Sequence, residues 1–293
     1  MKCVIFGING QDGYYLRKIF EQNRVKVIGV SRSLGDWLQG NVADFNFVDN
    51  FIQTQKPDYI VHIAANSSTR HDVLFENHET IATGSLNILE AVKRHQPNCR
   101  VFITGSGVQF VNNGNPIKET DDFEANSPYS VARIQSAYAA RYYRGLGIKA
   151  YVGYLFHHES SLRKESHVGK MVVEAVKRIA KGSEEKIRIG DISVQKEWGF
   201  AGDIAEGIYT LIKQDNIFEL TIGTGKAYSI KDWIRNCFAQ IDMPWEKYVD
   251  ISESNFRSEY KLLVANPSSI LSLGWRPKVD IKTLAKIMLE ETL

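Results

Sequence analysis

Cysteine, long apolar runs and a dominant sign of charge are all missing from this chain. Only 3 of its 293 residues are cysteine (Cys3, Cys99 and Cys237), far apart and in no C-x-x-C pair. Neither a disulfide framework nor a zinc site is expected, no metal is assigned, and a reducing cytoplasm is the natural setting. No apolar stretch approaches the roughly 20 residues needed to span a bilayer, so no membrane partner is expected. The opening MKCVIFGINGQDG reaches glycine and polar residues too early for a secretory apolar region. Lys+Arg number 36 against 34 Asp+Glu, a formal charge of +2. Such a balance supplies no field to draw the chain onto nucleic acid; a local basic pocket is the most it allows. Internal repeats and low-complexity linkers are also absent.

What is present is an ordinary globular composition with a clear rhythm. Short apolar runs alternate with helical patterns through the first half, which predicts parallel β-α-β units. Runs such as Cys3-Val4-Ile5-Phe6 and Tyr59-Ile60-Val61-His62-Ile63 lack polar alternation, as strands buried on both faces should. After about residue 157 the rhythm weakens into polar loops, a Lys-rich helix and several tryptophans. The expected fold is therefore α/β: a Rossmann-like, doubly wound parallel sheet with a smaller, interleaved α/β substrate lobe. Residues 1–156 form the sheet domain in this reading, with a segment at about 200–225 returning to it, and 157–293 form mainly the second lobe.

Directly after the first strand stands Gly7-Ile8-Asn9-Gly10-Gln11-Asp12-Gly13, opening a helix. Glycines permit the tight turn and let backbone N–H groups approach a pyrophosphate, to which the helix N-terminus adds positive potential. The strand–turn–helix setting makes this a dinucleotide site. The second strand ends Val30-Ser31-Arg32-Ser33, where an NAD site usually carries an acid for the ribose hydroxyl. Hydroxyls and a guanidinium suit a 2′-phosphate, so NADP is expected ahead of NAD, although Asp36 follows closely and would suit NAD. Asn41, Val42, Ala64, Ala65 and Asn66 fall at strand ends, where such folds line the cofactor crevice. Tyr129 and Arg133, four apart on the helix that begins at Ser127-Pro128, share a face, and a cation there favours the phenolate.

These residues resemble the extended short-chain dehydrogenase/reductase superfamily of epimerases and dehydratases, whose signature is Tyr-x-x-x-Lys with an upstream Ser or Thr. The nearest likeness is to GDP-mannose 4,6-dehydratases and GDP-sugar 4-keto reductases. Gly7 to Gly13 resembles their Gly-x-x-Gly-Gln-Asp-Gly, His157-His158-Glu159-Ser160 their Asn-His-Glu-Ser, and Lys196-Glu197-Trp198-Gly199 their Arg-Asp-Trp-Gly. Arg257-Ser258-Glu259 resembles an Arg-rich segment near the substrate diphosphate, and Leu273-Gly274-Trp275-Arg276-Pro277 a C-terminal Leu-Gly-Trp-x-Pro. The resemblance implies that Ser106, Tyr129 and Arg133 are catalytic, and that Tyr129, Arg133, Phe156, His158 and Arg163 also face the cofactor. It implies a substrate site of His157, Glu159, Lys170, Asp191, Lys196, Arg257 and Glu259 for a GDP-linked sugar.

The departures matter as much. Arg133 replaces the family lysine and is bulkier and planar. Val108 stands where dehydratases carry the glutamate that removes the C5 proton, and losing a general base costs roughly 10²–10⁴-fold. The resemblance therefore points to 4-keto reduction or C4 oxidation rather than dehydration. A dehydratase borrowing Glu119 or Asp121 is the alternative, and a catalytically degenerate cofactor-binding protein is the second. The stretch after Arg32 is shorter than a loop that many dehydratases use to form tetramers, so a homodimer is expected before a tetramer.

Overall fold

A computed structural model of the chain describes residues 1–251 and 260–290. Seven strands form its central sheet: β1 (Lys2–Phe6), β2 (Lys26–Ser31), β3 (Leu38–Gln39), β4 (Tyr59–His62), β5 (Arg100–Ser106), β6 (Lys149–Leu155) and β7 (Glu219–Ile222). Every pairing in it is parallel, and the spatial order is β7-β6-β5-β4-β1-β2-β3. The order reverses between β1 and β4, the switch point where a doubly wound, Rossmann-like sheet opens its crevice.

Alternate residues of each strand face opposite sides, and both sides are covered. Val4 and Phe6 pack with α2 (Phe45–Gln55), α4 (Gly84–His95) and α5 (Pro128–Gly145), while Cys3 and Ile5 pack with α1 (Gln11–Gln22) and α7 (Ala201–Ile212). The short α3 (Leu74–Asn77) runs into a wider π-type turn at His78–Thr83, which leads into α4.

The second lobe has its own core. It is built on α6 (Val168–Ala180), α8 (Ile230–Ala239) and α10 (Ile281–Glu290), with Trp198 stacked on Trp233 at 4.5 Å. The strand Gln195–Glu197 lies between Ala227–Ser229 and Leu262–Leu263. His158–Glu159 pairs with Gly199–Phe200, so the segment leaving β6 is stitched to the one entering α7. The short α9 (Ser268–Ser272) packs back against β7. No helix among the described residues is long and apolar enough to cross a membrane.

Candidate active site

The glycine turn shows three glycines with three different duties. Gly7 has φ +95°, and a Cβ there would lie 2.6 Å from Ala64 N. Gly13 lies under the turn, where a Cβ would meet Ile8 O at 2.5 Å. Gly10 is different: its Cβ would meet only Gly7 O, at 3.5 Å. The protein itself does not require a glycine there, so the space is a cradle that any side chain would fill. Gly10 caps α1 with no side-chain hydrogen bond, which leaves the first amides of the helix to a ligand.

A cleft of about 940 Å³ opens above this turn. Gly7, Asn9, Gly10, Gln11, Asp12, Arg32, Val42, Ala64, Ala65 and Asn66 lie on its walls, together with Ser106, Tyr129, Arg133, Phe156, His157, His158, Arg163, Asp191 and Lys196. Gly13, Asn41, Glu159 and Lys170 do not. Gly13 and Glu159 are buried behind the wall, Asn41 accepts from Ala43 N, and Lys170 pairs with Glu174 at 2.7 Å on its own helix. Arg257 and Glu259 lie outside the described residues.

At the catalytic wall, Ser106 ends β5 and caps the turn Gly107–Gln109, which presents Val108 beside it. Arg133 is buried at 2% exposure. Its Nη1 donates to Thr104 O at 2.6 Å, and its guanidinium lies 4.9 Å from the centre of the Tyr129 ring. Its Nε has no partner although buried. Beneath it, His62 Nε2 donates to Thr80 O at 3.1 Å. Burial, then the charge of Arg133, pushes His62 down to about 3, so it is neutral. The open cradle at Gly10 and the orphaned guanidinium nitrogen are what a dinucleotide site on this wall requires.

The two adjacent histidines point apart. His158 Nε2 donates to Asp12 at 2.9 Å and its Nδ1 meets Phe156 O at 2.7 Å. Burial works against both charges, but their mutual attraction raises His158 and lowers Asp12. Gln11 accepts from Ser160 Oγ at 2.9 Å, so the side chains of Gln11 and Asp12 anchor the glycine turn to the segment after β6.

His157 enters a buried ionic cluster instead. Its Nδ1 donates to Glu197 O at 2.8 Å, and its Nε2 accepts from Lys196 Nζ at 3.0 Å. Burial, then Lys196, lowers it to about 4. A neutral His157 spends its only proton on Glu197 O and has none for Glu159, 3.0 Å from Nε2. Both Glu159 oxygens therefore lack a hydrogen bond, with Arg163 Nε unpartnered 3.7 Å away. Burial opposes the Glu159 charge, while the neighbouring cations Arg163 and Lys196 pull the carboxyl below the ordinary carboxylate range. Burial brings Lys196 down to about 8, with Glu159 pulling upward and Arg163 downward. His167 shares Arg163 through Nδ1 at 3.2 Å and is lowered to about 4, chiefly by burial.

Sequence reasoning missed His62, His167 and Glu76. Glu76 accepts from Arg32 at 2.7 Å and from Asn66 at 2.9 Å. None of the three stands in a motif; the fold brings His167 and Glu76 to the cleft wall and buries His62 beneath Arg133. Asp36 is not on the cleft wall. Glu119 accepts from Thr221 at 3.2 Å and also binds Ser269, while Asp121 accepts from Lys118 N. Neither acid reaches the wall that would need it.

A family model of GDP-mannose 4,6 dehydratase matches residues 4–288. The chain is 28% identical to GDP-mannose 4,6 dehydratase 1 of Arabidopsis thaliana, covering 99% of this chain and 89% of the relative. Among solved structures, dTDP-glucose 4,6-dehydratase of Bacillus anthracis in complex with NAD aligns with a TM-score of 0.86 at 15% identity, over 99% and 96% of the two chains. RMD of Pseudomonas aeruginosa complexed with NADPH aligns at 0.85 and 17%, over 98% and 97%. These structural likenesses carry the fold; the family rests on the sequence match across nearly the whole length. The chain belongs to the GDP-mannose 4,6-dehydratase family, within the extended short-chain dehydrogenase/reductase superfamily.

Proposed function

We propose that the chain is a nicotinamide-dependent oxidoreductase acting at C4 of a GDP-linked hexose or heptose, by 4-keto reduction or reversible C4 oxidation. The observation that carries this reading is Val108. It shares the cleft wall with Ser106, Tyr129 and Arg133, where dehydration would need a base for C5. The described carboxylates on that wall are committed elsewhere: Asp12 to His158, Glu76 to Arg32 and Asn66, and Asp191 to Ser193. His157 and His167, both lowered to about 4, are weak bases.

A dinucleotide held on the glycine turn supplies the hydride exchange. Tyr129 passes the proton to or from the C4 oxygen, and Ser106 Oγ bonds that oxygen. Arg133 keeps a permanent charge against the tyrosine ring and is fixed there by Thr104 O. Lys196 and Arg163, both on the cleft wall, would hold the diphosphate. Ser31, Arg32 and Ser33 favour NADP, with NAD as the alternative; both cofactors occur among the structural neighbours. The assembly we propose is a cytoplasmic homodimer, in keeping with three buried free cysteines.

The names of the relatives favour a second reading, a true 4,6-dehydratase. Tyr129→Phe tests what both readings share. Hydride exchange should fall by at least roughly 10²-fold while dinucleotide binding, followed by fluorescence titration, is retained. Unchanged turnover would remove Tyr129 from the chemistry.

A further inference from the structure

We infer that Glu76 sets the dinucleotide selectivity of this cleft by holding Arg32. The inference rests on the reading of the glycine turn as a dinucleotide site and adds a residue that no motif of that site contains.

The floor of the pocket at the end of β2 is made of short polar groups. Asn9 Nδ2 donates to Ser33 Oγ at 3.2 Å, Ser31 and Ser33 hydroxyls lie 3.1 Å apart, and Gln39 Nε2 fixes Arg32 O at 3.1 Å. The only acid facing this floor among the described wall residues comes from α3, 44 residues after Arg32. Glu76 Oε1 takes the Arg32 guanidinium at 2.7 Å and Oε2 takes Asn66 Nδ2 at 2.9 Å. Those two bonds outweigh burial and hold the carboxyl below its ordinary range, and Lys164 is the further cation that acts on it. Glu76 is therefore ionised at neutral pH.

The pair joins the two rims of the pocket and is itself neutral, with Lys164 the further charge beside it. A ribose 2′-hydroxyl is a donor that a carboxylate accepts. A 2′-phosphate carries close to two negative charges. It needs the Arg32 fork, one nitrogen of which Glu76 already takes, and it must sit beside a like charge. Both side chains are partly exposed, at 52% and 39%, so solvent screens the repulsion, and a factor of roughly ten is the expected size. Arg32 thus pulls selectivity toward NADP, and Glu76 pulls it back toward NAD.

The test is calorimetric titration of the full chain with NADP+ and NAD+ alone, with no sugar. Glu76→Gln keeps the shape and the bond from Asn66 but drops the charge. It should tighten NADP+ about tenfold relative to NAD+, whereas Arg32→Gln should weaken NADP+ by a similar factor with NAD+ nearly unchanged. If Glu76→Gln binds both dinucleotides with the wild-type ratio, the assignment is overturned and the cleft reading survives. If Glu76→Gln does not fold, an unchanged ratio in Arg32→Gln overturns it equally. Wild-type protein that binds neither dinucleotide overturns both.

Discussion

Two glutamates of this protein, one partly buried and one fully buried, carry the same charge in opposite circumstances. Glu219, on β7, accepts from Arg141 at 2.8 and 3.0 Å, from Tyr154 at 2.5 Å, and from Arg144. Burial opposes its charge, but these bonds hold it at about 2. Glu159, at the join of the two lobes, is also held below the ordinary carboxylate range, by Arg163 and Lys196, yet neither oxygen has a hydrogen bond. The first network is completed by the protein and ties α5 to the sheet edge. The second is charged, fully buried and unfinished, and its cations Lys196 and Arg163 lie on the cleft wall. The first cluster holds the fold together; the second turns two cations, Lys196 and Arg163, toward the cleft.

Several measurements press on this contrast. The largest effect is expected at Glu219→Gln, which leaves two arginines without their anion. Losing these charge-assisted hydrogen bonds costs roughly 1.5–3 kcal/mol, read by urea unfolding, with nucleotide binding unaffected in the folded fraction. Glu159→Gln should cost less stability, because no hydrogen bond is lost. Equal losses would erase the distinction.

Lys196 supplies the next test. Its value of about 8 lies below the ordinary 10.5, so the unfolded chain binds the proton more tightly between those limits. This group's contribution to stability therefore rises with pH from about 8 upward. Its charge, which we propose holds the diphosphate, is lost over the same window. The KM for nucleotide sugar should climb above pH 8 while the fold does not weaken. Because Glu159 raises Lys196, Glu159→Gln should move that climb to lower pH. An unmoved profile would detach Glu159 from the site.

The glycine turn, the strand rhythm and the Tyr129 helix were legible because each is local: backbone sterics and hydrophobic period act over a few residues. Ser127 and Ser130 cap α5 and Pro128 opens it, as the sequence at its start suggests. Lys170 shows the limit of likeness: a near-family position is occupied, but Glu174 one turn on claims its charge. Glu76 was invisible because its partner is 44 residues away. The cluster of Glu159, His157 and Lys196 was legible as residues but not as an unfinished network. Which proton goes where depends on Glu197 O, a backbone atom with no sequence signature.

The central claim is that this cleft exchanges hydride at C4 without a base for C5. The most direct measurement incubates wild-type protein with GDP-hexose carrying deuterium at C4 and an oxidised dinucleotide, and follows nucleotide sugar and cofactor by mass spectrometry. Deuterium should pass to the cofactor while the sugar product retains its water. A 4-keto-6-deoxy product, lighter by one water, would contradict the account.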